Sequence, residues 1–173
     1  MRLDRGLYAE ELAAAEECYG FRFPPDLQAL LSAALPLGDF PNWRALGSPE
    51  IADRLRWPLH GIQFDIEHRA FWWPAWGARP TQLDEALATA EREIAAAPFL
   101  IPVYSHRYLP AEPSQAGNPV LSVHQTDIIY YGRELRSYLA NEFGGRRDAP
   151  NDVDVRQIRF WSDVIAMGSE PAN

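Results

Sequence analysis

The side chains that could do chemistry are few and dispersed along this chain. The best local cluster is His60, Asp65, Glu67 and His68, two imidazoles with two carboxylates between them. A metal centre needs such ligands to converge, through paired cysteines or a His-Glu-x-x-His helix, and neither pattern is present. The cluster therefore reads as the solvated face of an element, and no metal is expected. Ser105 beside His106, and Ser122 near His124 and Asp127, can each be written as nucleophile and base. Neighbours on a strand point to opposite faces, so adjacency along the chain is weak evidence for convergence. The single cysteine, Cys18, falls on the apolar side of a predicted helix and reads as core. No Gly-rich run precedes a helix to cradle phosphate, and the 16 basic residues are all Arg, which excludes lysine chemistry. No enzyme activity and no cofactor are expected.

Polar residues set into apolar, β-rich runs carry more information. Leu100–Pro110 inserts His106 and Arg107 between aromatics, ahead of Tyr108. Asn118–Gly132 does the same with His124, Gln125, Asp127 and Tyr130. A local account has Thr126 and Asp127 tying a hairpin turn, with Arg107 paired to Asp127. His106, Arg107, Tyr108 and Tyr130 serve equally well as interface anchors, where Tyr and Arg are favoured.

The elements that must position these residues follow from periodicity and punctuation. Leu7–Cys18 is predicted as a helix, with Leu7, Leu12, Ala15 and Cys18 about a turn apart and Gly20 as its left-handed exit. Pro24-Pro25-Asp26 opens a second helix with the stripe Leu27, Leu30, Leu31 and Leu35, stopped by Pro36-Leu37-Gly38. Together they form an N-terminal helical hairpin around the elbow Tyr19, Phe21 and Phe23. Ser48-Pro49-Glu50 starts a helix predicted to run to about Arg56. Ile62, Phe64 and Ile66 alternate as in a strand, while Ile62, Ile66 and Ala70 suit a helix, so residues 62–72 stay open between the two. Trp57-Pro58-Leu59-His60-Gly61 and Trp73-Pro74-Ala75-Trp76-Gly77 read as two similar turns. Thr81–Ala97 is a helix capped by Thr81, with Leu83, Leu87, Ala90 and Ile94 as one stripe. Phe99–Tyr104 is a strand whose Pro102 suggests an edge or bulge. A loop over Leu109–Asn118 leads to an antiparallel hairpin of Val120–Val123 and Ile128–Tyr131. A helix with Leu135, Tyr138, Leu139 and Phe143 ends at Gly144-Gly145. A polar loop over Arg146–Asp154, a short element at Ile158–Trp161 and a polar tail after about residue 165 complete the chain. This order predicts a single α+β domain with a mixed, mainly antiparallel sheet backed by helices.

Composition agrees. The 173 residues suffice for one core, and 47% apolar content with six Trp, seven Tyr and eight Phe excludes disorder. Twenty-four acidic residues give a net charge of −8, unlike the basic footprint of a nucleic-acid binder. No apolar stretch reaches the length of a membrane span or a secretory core, and the unpaired cysteine fits a reducing interior, so the cytoplasm is the expected compartment. The charge is uneven: residues 1–100 hold fifteen acids against nine Arg, and four of six Trp lie within Trp57–Trp76.

One set of segments carries a family resemblance. Glu16-Glu17-Cys18-Tyr19-Gly20-Phe21-Arg22-Phe23-Pro24-Pro25-Asp26-Leu27, then Phe40-Pro41-Asn42-Trp43-Arg44, then the runs Leu100–Pro110 and Asn118–Gly132 followed by Leu135, Tyr138, Leu139 and Phe143, resemble the SUKH superfamily. That group takes in a fungal cell-wall-synthesis regulator and many bacterial relatives. The matches span about residues 10 to 161. The resemblance implies a central sheet backed by helices, and function by protein binding. Many bacterial members are thought to be immunity proteins that neutralise toxins, often nucleases. The family brings no catalytic residue set.

On this reading the expected partner is a protein such as a basic nuclease toxin, steered by the acidic charge. The toxin-facing surface is expected on the N-terminal helices and the Asp39–Glu67 region. A regulatory or scaffold role, through an aromatic surface from Trp43 to Trp76, and a small-ligand or hydrolytic site around His106 and His124 are the alternatives. Candidate interaction residues are Trp43, Arg44, Trp73 and Trp76 in the aromatic part. In the β-region they are His106, Arg107, Tyr108, Gln125, Asp127 and Tyr130.

Overall fold

Residues 2–144 and 155–169 are described by the structure, a computed structural model. The chain opens with strand β1 (Arg2–Arg5) and helix α1 (Ala9–Tyr19), which exits through Gly20 at φ 74°. Glu11, in the first turn of α1, accepts two bonds of 2.8 Å from the Arg5 guanidinium and one of 2.8 Å from the Tyr8 amide. The Arg5 bonds, then the Tyr8 amide, hold its carboxyl well down, from the ordinary 4.5 to about 2. A depressed carboxyl contributes stability that is complete above its unfolded value and is lost as pH falls through the folded one. Glu11→Gln should therefore flatten the loss of stability between about pH 4.5 and 2, read by urea titration at each pH. Equal slopes for both proteins would refute this.

Helix α2 (Pro25–Ala33) begins at Pro25, where a missing amide costs nothing. It stops two residues short of the end of the predicted leucine stripe. Ala34–Leu37 instead forms β2, antiparallel to β1, so Leu35 is buried from a strand and not from the helix. The elbow between α1 and α2 is held by Glu16, whose buried carboxylate accepts from the Phe23 amide at 2.9 Å and from Arg22 at 2.7 Å. Cys18, predicted as core, is exposed, because α1 turns Leu12 and Ala15 inward and Cys18 away.

The largest departure is α3 (Pro49–His68), a 20-residue helix that continues through Pro58 and, of the open stretch 62–72, takes residues 62–68 as helix. Trp57–Gly61 is thus no turn, whereas Pro74–Trp76 is one, a single 3-10 turn closed by Gly77. Proline at 58 can give no amide to the Arg54 carbonyl, the usual acceptor four residues back. Tyr108 supplies the missing donor: its hydroxyl gives a bond of 2.8 Å to that carbonyl. Tyr108→Phe should cost about 1–2 kcal/mol, and clearly less in a Pro58→Ala background, where residue 58 regains its amide. Equal costs in both backgrounds, by chemical denaturation, would exclude this account.

Helix α4 (Leu83–Ala95) follows, led by Gln82 and not capped by Thr81. Four strands then form an antiparallel meander: β3 (Leu100–Tyr104), β4 (Arg107–Pro110), β5 (Val120–His124) and β6 (Asp127–Gly132). Pro102 sits on the edge strand β3, beside an irregularity in its pairing with β4. Leu109 and Pro110, predicted as loop, belong to β4. Helix α5 (Leu135–Phe143) ends at Gly144. Helix α6 (Trp161–Ser169) extends the element predicted at Ile158–Trp161 and buries Val164 and Ile165. The loop predicted over Arg146–Asp154 lies outside the described residues.

The two-residue period of the meander sorts its side chains into two cores. Ile101, Val103, Leu109 and Val120 face α1, α2, α5 and Trp43. Leu100, Tyr108, Leu121 and Val123 face the other way, onto α3, α4 and α6. The result is an α+β fold in which an antiparallel sheet lies between two helical layers.

Candidate functional site

Helix α3 meets the open end of the meander, where the turns β3–β4 and β5–β6 protrude. Three residues of α3 at four-residue spacing engage β5 and the turn that follows it. The Trp57 indole donates to the Val123 carbonyl at 3.0 Å. Gly61 passes so close that a Cβ there would lie 2.8 Å from the Cα of Gln125, which itself adopts φ 59°. Asp65, 1% exposed, accepts from the Thr126 amide at 3.0 Å and hydroxyl at 2.6 Å. Thr126 thus ties the turn, but to α3 and not to its own backbone.

The opposite side of this seam is a cleft of about 350 Å³. Asp39, Asp53, Arg54, Trp57 and His106 line it, with Tyr108 at its base. Trp57 is 46% exposed although its indole N–H is held, so a large aromatic face is both open and fixed. One turn apart on α3, Asp53 and Trp57 share an edge of the cleft. Arg54 is already engaged by the Asp39 carbonyl at 2.7 Å and Glu50 at 3.2 Å. Burial, then the charges of Arg107 and His124, lower the His106 pKa and so disfavour its charged form. Further along α3, Phe64 is 42% exposed and stacks on His68 at 4.3 Å.

Most of the residues singled out by sequence serve the fold. Trp43 is 1% exposed, packed by Tyr19, Phe21 and Phe23 with centroids 5.2–6.0 Å away, and is not an interface residue. Arg44 ties β1 to α1 through Asp4, Glu11 and the Arg5 and Gly6 carbonyls. Trp73 and Trp76 are half-buried against Phe160, closing the end of the second core. Arg107 donates to Ser122 at 3.0 Å and lies 3.6 Å from the Tyr131 centroid; the register sets Ser122, not Asp127, opposite it. Asp127 is exposed opposite His124, and Tyr130 donates to Ser162 of α6 at 2.6 Å. Tyr108 is buried, and burial raises its pKa. Of these residues His106 and the buried Tyr108 line the cleft, with Gln125 supplying backbone at the seam.

Of the two Ser–His pairs weighed from the sequence, one is in contact and the other is not. Ser105 Oγ lies 3.1 Å from His106 Nδ1, a contact between chain neighbours, and Ser122 is taken by Arg107. Asp65 turns away from His60 and His68 to Thr126, and among the described residues no three His, Cys, Asp or Glu gather. Trp57, Asp53 and Asp39 were not singled out individually, although the acidic Asp39–Glu67 region and the i, i+4 spacing of Asp53 and Trp57 contain the signal. Among the described residues no helix is long and apolar enough to cross a membrane. Comparison with models of protein families, with curated proteins and with solved structures finds no match to this chain.

Proposed function

We propose that the chain is a protein-binding module of SUKH type, acting in the cytoplasm, and that it neutralises a toxin by direct contact as an immunity protein does. One observation carries the binding reading: an open aromatic face, Trp57, held rigid beside the carboxylates of Asp39 and Asp53. Aromatic residues ordered before contact are characteristic binding anchors, because little freedom is left to lose. The motif residues Glu16 and Trp43 support the same division of labour, with shared scaffold on one side and an individual surface on α3.

The test is growth rescue. Each reading frame flanking the gene is expressed in a neutral host, with and without this chain. One of them should arrest growth, the chain should lift the arrest, and Trp57→Ala should not. If no flanking product is neutralised, the immunity reading fails and the scaffold role becomes the account of the same face.

A further inference from the structure

We propose that the cleft between α3 and the β3–β4 turn is a subsite for one arginine side chain presented by the partner. This deepens the binding reading and rests on it. Three features of the cleft point to a guanidinium. First, Asp39 and Asp53 both line it, both are exposed, and among the described residues neither carboxylate has a hydrogen-bond or ion-pair partner. Second, the cation that also lines it is spent: Arg54 gives its guanidinium to Glu50 and to the Asp39 backbone carbonyl. Third, the cleft has a flat aromatic wall whose orientation is set from behind, since the Trp57 indole is held by the Val123 carbonyl.

A planar, weakly hydrated cation can stack on an indole while donating to carboxylates at its edge, and an ammonium cannot do both with the same geometry. At the mouth, burial lowers the His106 pKa and so disfavours an opposing charge there. The cleft holds about 350 Å³, the low end of small-ligand sites and ample for a single side chain. Of the residues lining it, Arg54 is the one formal cation, and its guanidinium is already engaged, so a cation for the two carboxylates has to come from outside.

The probe is Nα-acetyl-arginine amide, titrated into the intact ¹⁵N-labelled chain and followed at the Trp57 indole N–H and the Ser105–His106 amides. A saturable shift is expected at these groups, about tenfold weaker with the lysine amide and absent with the uncharged citrulline amide. Asp39→Asn with Asp53→Asn, both at exposed positions, should abolish it while leaving the melting temperature unchanged. No movement at Trp57, equal response to lysine, or a shift that survives the double substitution would each overturn the arginine subsite. The binding reading is tested separately by rescue: a toxin neutralised equally well by wild type and the double variant keeps that reading and removes this one.

Discussion

Trp43→Ala should be among the most destabilising single substitutions in the chain, with a loss of about 3–5 kcal/mol on thermal or chemical denaturation. The indole is fully enclosed, and three aromatic rings meet it edge-on: Tyr19, Phe21 and Phe23. These rings belong to the elbow between α1 and α2, so removing Trp43 opens a cavity where two helices, Phe99 and the loop before α3 converge. A domain of this size has total stability of about 5–15 kcal/mol, and a fall in melting temperature on the order of 10 °C is expected. Trp57→Ala supplies the contrast. It should change stability by only about 1 kcal/mol, the share of one indole hydrogen bond, and act instead on partner binding. If Trp43→Ala melts like wild type, the placement of this residue in the core is wrong.

Asp65→Ala should cost about 3 kcal/mol, by a different route. Its carboxylate is buried on α3 and satisfies two donors of Thr126, the amide and the hydroxyl. Truncation leaves those donors without their acceptor at a seam where Gly61 admits no rearrangement of the turn. Arg69 approaches the other carboxylate oxygen at 3.4 Å but is two-thirds exposed, and it contributes little. Thr126→Val removes the hydroxyl alone, so the two substitutions should be non-additive by about 1 kcal/mol or more. Strict additivity in a double-mutant cycle would show that the two residues do not act on each other.

Where residues obey local rules, the fold was legible. Gly20 ends α1, Pro25 starts α2, and the alternation from Val120 to Tyr131 marks a hairpin. What escaped is non-local. Pro58 reads as a breaker because the donor that replaces its amide, Tyr108, comes from a strand fifty residues later. Leu35 continues a helical stripe in the sequence, yet its backbone is claimed by β1 from the far end of the hairpin. Asp65 sits among alternating apolar residues as any solvated acid would, and only the arrival of Thr126 makes its burial tolerable. The candidate site divides in the same way. His106 was visible as a polar residue among aromatics, and the acidic stretch around α3 was visible as charge. Trp43 and Trp57 are indistinguishable by type, and which one faces outward depends on packing that no single segment encodes.

The fastenings between α3 and the meander carry one further consequence, for how occupancy can be observed. Tyr108, Val123 and Thr126 grip the helix at the Arg54 carbonyl, Trp57 and Asp65, so α3 cannot peel away turn by turn while the strands remain paired. The face that would hold a partner therefore opens together with the sheet, as one cooperative unit. Any molecule that binds there and not to the unfolded chain draws on that linkage, and its concentration should be readable directly as a rise in the melting temperature of the protein.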